Sequence, residues 1–181
     1  GRPGWHIEDT AITEKYFGSQ YDLHGGGLDL KFPHHESEIA QQEAASGKKP
    51  FVKIWMHVGL ITVNGEKMSK SLKNFITVAD FLKNRSPAVL RLMFSQHQYR
   101  SPIDYSDELV VQSENSLKTV YQFLAKLEKV SGNLDTVSLL NTAEKKFTES
   151  MADDFNTPSA LAAIFELINE INPKIWNLDK K

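Results

Sequence analysis

The chain has no cysteine in 181 residues. That excludes a disulfide framework and fits a reducing compartment, so a soluble, cytoplasmic chain is expected. No apolar run reaches the length of a membrane span, and the opening string GRPGWHIE has no signal-peptide pattern. An excess of either charge is also missing. With 21 basic and 23 acidic residues the net charge is −2, so no global basic field points to nucleic acid. Low-complexity stretches and internal repeats are lacking too. What remains is ordinary globular composition, 40% apolar and 24% charged, with room for one domain or one domain and part of another.

The first half alternates in type. GWHIEDTAITEKYFG reads as a helix stopped by Gly18, with Ile7, Ala11, Ile12 and Tyr16 on one stripe. YDLH reads as a short strand that GGG breaks. PHHESE opens the next helix, with Pro33 at its entry, and Gly47 ends it. FVKIWMHV has strand length, and ITVNGEKM reads as a hairpin because Asn64-Gly65 is a preferred two-residue turn. Strands alternating with helices point to an α/β sheet whose functional loops lie at strand ends.

From about Thr77 the period becomes helical. TVADFLK and SPAVLRLMFSQH read as capped helices, the second with Ser86 as N-cap and Pro87 in its first turn. A long amphipathic helix follows, with Val110, Leu117, Val120, Leu124 and Leu127 as its apolar stripe, and two more helices end the chain. The expected division is 1–75, an α/β segment with the hairpin; 76–106, a connecting segment; and 107–181, a helical bundle.

Two clusters carry chemistry. In PHHESE, His34 and Glu38 stand four residues apart and share a helix face. An imidazole and a carboxylate there make half of a tetrahedral zinc site; alternatively, Glu36 and Glu38 only complement the helix dipole. In EKMSKSLKN, Lys67, Lys70 and Lys73 alternate with Ser69 and Ser71. Such a loop can hold polyphosphate, or it can be a solvated basic loop; the Walker spacing is absent.

The string KMSKS is the second signature of class I aminoacyl-tRNA synthetases. Around it, GRPGWHIE, DLHGGGLDLKFPHHESEIAQ, WMHVGLITVNGEKMSKSL, SPIDYSDE and MADDFNTPSALAAIFELINEIN resemble the cysteinyl-tRNA synthetase family over nearly the whole chain. The resemblance implies an α/β fold: half of a class I synthetase Rossmann-like catalytic domain, followed by an α-helical bundle. It implies a ligase that uses ATP and Mg²⁺ to form cysteinyl-adenylate from L-cysteine and then charges tRNA(Cys), as a monomer.

It further implies one Zn²⁺ held by His34 and Glu38, with Asp9 standing where the family has cysteine after WHIE. Aspartate keeps the −1 charge of a thiolate but is harder, so zinc affinity is expected to fall while the metal is retained. Zinc would separate cysteine from serine by its preference for thiolate over hydroxyl. His35 and Glu36 are expected in supporting roles. Trp5 would wall the cysteine pocket or serve as core, and Asp29 would meet the α-ammonium or simply hold a turn. His24 with Gly25, Gly26 and Gly27 would approach the adenylate, alongside Lys67, Met68, Ser69, Lys70 and Ser71. Lys67 and Lys70 would be catalytic, stabilising the departing pyrophosphate. Lys73 replaces the usual glycine and would stiffen the loop.

The HIGH-type string is not found, so these 181 residues read as the second half of the catalytic domain and the start of the bundle. Alone they are expected to give no cysteine-dependent ATP–pyrophosphate exchange. Two rivals are an amino-sugar cysteine ligase of the mycothiol pathway and a non-catalytic synthetase-like binding paralogue.

Overall fold

A computed structural model describes residues 2–68, 74–130 and 137–175. Ser69, Lys70, Ser71 and Lys73, and with them most of the KMSKS loop, lie outside the described residues, as does the side chain of Lys67. The described chain forms two compact units, 1–60 with 100–102 and 61–99 with 103–181.

The first unit is a β–α–β turn with a leading helix. Helix α1 spans His6–Phe17 and ends at Gly18, whose φ of 82° only glycine adopts freely. Strand β1 covers Tyr21–Gly27, helix α2 Glu36–Ser46 and strand β2 Val52–Val58. The two strands pair in parallel, from Tyr21 with Val52 to Gly27 with Val58. Parallel neighbours require a crossover, which α2 supplies while also packing on α1.

One expectation needs correcting here. The glycines do not break β1: they continue it, paired in register with Met56, His57 and Val58. Their lack of side chains serves close packing in extended backbone, as shown below. Pro33 stands at the entry as expected: Phe32 before it is extended, and from Pro33 the backbone is helical into α2.

The apolar stripe of α1 is not a core stripe among the described residues, since Ile7, Ile12 and Tyr16 are 48%, 48% and 70% exposed. Leu23 and Ile54, paired across the two strands, are likewise more than half exposed. Their opposite face turns to the site.

The second unit opens with the hairpin. Strand β3 is Ile61–Val63 and β4 is Glu66–Lys67, joined by Asn64 and Gly65 at φ 55° and 77°. Positive φ at both central residues is the primed turn that Asn-Gly favours. Strand β5, Ile103–Tyr105, was not anticipated from SPIDYSDE; it pairs in parallel with β3. This pairing puts the hairpin in the helical unit, and the compact units part after Leu60.

Helices α3, Val78–Asn84, and α4, Pro87–Ser95, are capped by the hydroxyls of Thr77 and Ser86, which accept from the Asp80 and Val89 amides. Helix α5 spans Asp107–Leu127, α6 Val137–Ala152 and α7 Thr157–Ile171. Phe81, Val89, Met93 and Val110 form one core, and Phe123, Ile168, Ile171 and Ile175 another. Burying each such side chain contributes about 1.5–3 kcal/mol. Leu124 and Leu127, expected inside, are 48% and 40% exposed. The buried face of α5 instead runs through Val110 and Ser113 to Phe123.

Candidate functional site

The site gathers where β1 and β2 end and the turns after β1 lead into α2. Carboxyl ends of parallel strands are where such sheets place ligands, because the loops there fan outward from a rigid edge. Strand alternation directs His24 from β1 and Trp55 and His57 from β2 to one face. The turn Lys31–His35 then brings His34 and His35 onto that face, both buried.

His34 and Glu38 meet because the backbone is helical from Pro33 onward, which puts them one turn apart on one face. Nε2 of His34 lies 2.8 Å from Oε1 of Glu38 and 3.0 Å from Oδ2 of Asp9. Asp9 comes from the first turn of α1, which packs on α2. The three donor atoms lie within 4.8 Å of one another.

Glu38 is fully buried; beyond its ion-pair contact with His34, neither of its oxygens, nor Nδ1 of His34, has a hydrogen-bond partner among the described residues. A buried carboxylate without hydrogen bonds is costly unless a cation or proton compensates it. Burial first, and then the Asp9 carboxylate, push the Glu38 carboxyl up to about 7. Two carboxylate oxygens and one imidazole nitrogen converging on one point fit a first-row divalent ion, with a coordination position left for a ligand. Trp5 stacks flat on His34, ring centroids 3.4 Å apart, and is 57% exposed, so it is no core tryptophan. A cavity lined by Arg2, Trp5, Ile7 and Glu8 opens beside it.

Behind this trio lies a second layer in which His24 and His35, named in the sequence, join Tyr21, Trp55 and His57, which were not. Nδ1 of His35 is hydrogen-bonded to Nε2 of His57 at 2.8 Å. His24 stacks on Trp55 and meets His35 edge-on, each at 4.8 Å, and its Nδ1 is hydrogen-bonded to the Tyr21 hydroxyl. Burial holds His35 down to about 4, with His24 and His57 adding to the effect, and burial likewise lowers His24. The Tyr21 hydroxyl is pushed up to about 12, chiefly by burial. These imidazoles are therefore neutral at physiological pH and present lone pairs. The signal was present in WMHV, whose alternation puts Trp55 and His57 on one face.

The glycine run now has a local reason. A Cβ on Gly26 would come within 2.6 Å of Cε1 of His35, and one on Gly27 within 2.5 Å of Oδ1 of Asp29. At Gly25 the nearest atom would be the Met56 carbonyl oxygen at 3.6 Å, ordinary contact. Asp29 itself is exposed in the turn Leu28–Leu30, and Glu36 is exposed on α2. Of the KMSKS residues, Lys67 ends β4 opposite Thr62, and Met68 follows half-buried. Asp104 was not singled out in the sequence. It accepts from the Thr62 hydroxyl at 2.7 Å and the Gly65 amide at 2.8 Å, clamping the hairpin that leads into that loop.

Residues 1–115 match the family model described as "tRNA synthetases class I (C) catalytic domain", and residues 146–178 match the DALR domain. A protein of Thermococcus gammatolerans named cysteine–tRNA ligase is 47% identical over 99% of this chain and 40% of its own length. One of the same name from Legionella pneumophila is 48% identical over 95% of this chain and 37% of its own. This chain thus spans about two fifths of these relatives. In fold it is similar to the LeuRS of an Agrobacterium radiobacter LeuRS–tRNA–LeuAMS complex, with TM-score 0.67 and 19% identity over 87% of this chain and 23% of that one. The match over more than half the chain shows that it belongs to the class I tRNA synthetases, in the catalytic-domain family of that description.

Proposed function

We propose that this chain carries the amino-acid-selecting half of a cysteine–tRNA ligase, which activates L-cysteine with ATP and Mg²⁺ and transfers it to tRNA(Cys). The observation that carries the reading is the convergence of Asp9, His34 and Glu38 beneath Trp5, within a class I synthetase. These three residues would hold zinc. Bound there, zinc supplies a soft acid that takes a thiolate far better than a hydroxyl, separating cysteine from serine.

Each protein group then has a task. Buried Glu38 would help hold the cation, and Asp9 would supply the charge that the resemblance assigns to a cysteine at its position. Trp5 orients the His34 ring and covers the side chain of the bound amino acid. Asp29, exposed at the strand end, pairs with the α-ammonium. The open backbone at Gly25 lets the nucleotide approach β1. Lys67 and Lys70 stabilise charge building on pyrophosphate as the cysteine carboxylate displaces it from the α-phosphate, an effect expressed mainly in the transition state. A ribose hydroxyl at the tRNA terminus then takes the cysteinyl group. The segments 1–75, 76–106 and 107–181 serve as the activating half, the connecting region and the tRNA-side bundle. The DALR match within the bundle favours tRNA over an amino sugar as acceptor.

Calorimetric titration of cysteine and serine into the zinc-loaded chain tests the selecting site. Cysteine is expected to bind, and serine to bind at least about 10²-fold more weakly. Equal affinity, or cysteine binding unchanged by chelator, overturns the metal-based selection.

A further inference from the structure

Gln42 is 1% exposed, and its Nε2 has no hydrogen-bond partner among the described residues. An amide shut away from water without a bond loses its hydration and gains nothing in return. One turn before it on α2 stands fully buried Glu38, whose Oε2 also lacks a hydrogen-bond partner. The two groups are complementary, an N–H donor and a carboxylate acceptor. We propose that Gln42 is a positioning residue for the candidate metal site: its amide donates to Oε2 of Glu38 and fixes the carboxylate that holds the cation.

Helix geometry supports this role. The backbone is helical from Pro33, so His34, Glu38 and Gln42 follow at four-residue steps along one face. Side chains on a helix lean toward its N-terminus, each reaching back over the turn before it. Glu38 does so, with Oε1 2.8 Å from Nε2 of His34. The same lean carries the Gln42 amide back toward Glu38. The two carboxylate oxygens are also unequal in their surroundings. Oε1 faces the trio, whereas Nδ1 of His24 lies 3.8 Å from Oε2, beyond hydrogen-bond reach, and is already bonded to the Tyr21 hydroxyl. That nitrogen is therefore not the donor Oε2 needs. Glu38 and Gln42 are the two buried side chains of α2, while the next residue, Glu43, has a partner in the Phe51 amide. Carboxylates that ligate a metal are themselves held by outer hydrogen bonds, and a buried glutamine one turn away is a suitable source.

The inference rests on the proposed selecting site, and the test separates the two. Zinc affinity of the chain is measured by chelator competition, beside Gln42→Met and Asp9→Ala, and the denaturant midpoint of each is measured without metal. Methionine is a flexible side chain that fills the space and lacks the donor. Gln42→Met should bind zinc about 10–100-fold more weakly. Its metal-free midpoint should be no lower than wild type, because a buried donor without a partner has been removed. A packing role would instead lower both together. Zinc affinity unchanged in Gln42→Met, or lost in step with a lowered midpoint, overturns the role of Gln42; loss of zinc in Asp9→Ala then leaves the selecting site standing. No zinc on the wild type, or binding indifferent to Asp9→Ala, overturns the site and the role with it. If Gln42→Met does not fold, nuclear magnetic resonance of the wild type gives the answer. The side-chain amide protons of Gln42 should move downfield when zinc is added, and no movement overturns the bond to Glu38.

Discussion

The indole of Trp5 lies on the imidazole of His34 at 3.4 Å between centroids, with 15° between the planes. One ring belongs to the entry of α1 and the other to the turn before α2, so the stack ties the approach to the site to a candidate metal ligand. Removing the indole as Trp5→Ala should cost about 0.5–1.5 kcal/mol, the worth of an aromatic pair, and weaken zinc by about the equivalent twofold to tenfold. Trp5→Phe should recover most of it. Chelator-competition titration reads both; an unchanged zinc affinity in Trp5→Ala would mean that the stack orients nothing.

Asp9 stands 3.0 Å from Nε2 of His34, at the position where the family has cysteine. Losing an outer partner of a metal ligand costs roughly 10–100-fold in affinity. Asp9→Ala, which removes a ligand itself, should weaken zinc at least that much. Asp9→Cys should tighten it, because a thiolate is the softer donor. A zinc affinity insensitive to both substitutions would exclude Asp9 from the site.

Gly26→Ala drives a Cβ to within 2.6 Å of His35. The imidazole is buried and held by His57, so it has little room to yield. Overpacking of this kind costs about 1–3 kcal/mol, read as a lowered midpoint in denaturant. Gly25→Ala, with only ordinary contact to the Met56 carbonyl oxygen, should leave the midpoint nearly unchanged. Equal effects at the two positions would show that the glycine run is not shaped around His35.

Asp104 holds the hairpin by accepting from Thr62 and Gly65. Asp104→Ala should speed hydrogen exchange at the Gly65 amide, and Asp104→Asn, which keeps an acceptor oxygen, should speed it less. Exchange at Gly65 equal to wild type in Asp104→Ala would place the hairpin's order in the Asn64-Gly65 turn alone.

Lys70→Ala, in a protein of the relatives' full length, should lower the rate of cysteine activation by about 10²–10³-fold, the cost of losing one donor to developing transition-state charge. A normal rate with only a raised KM for cysteine would remove Lys70 from that role.

Much of this was legible before the fold. The caps at Thr77 and Ser86, the Asn64-Gly65 turn and the pairing of His34 with Glu38 are local events, separated by four residues or fewer. Local chemistry and helix spacing dictate them, and the chain carries that information in its order of residues. The family resemblance rests on strings of the same kind.

What tertiary structure decided is what depends on distant segments. That Asp9 reaches His34 depends on α1 packing on α2, across 25 residues. That GGG is strand and not a break depends on pairing with β2, and its need for glycine on a histidine nine residues away. The exposure of Leu124 and Leu127 and the placing of β5 beside β3 follow from which faces found partners. A residue pattern states which surface is apolar or ligating. Only packing settles what that surface meets, because contact energy falls away within a few ångströms and the partners are brought together by the fold.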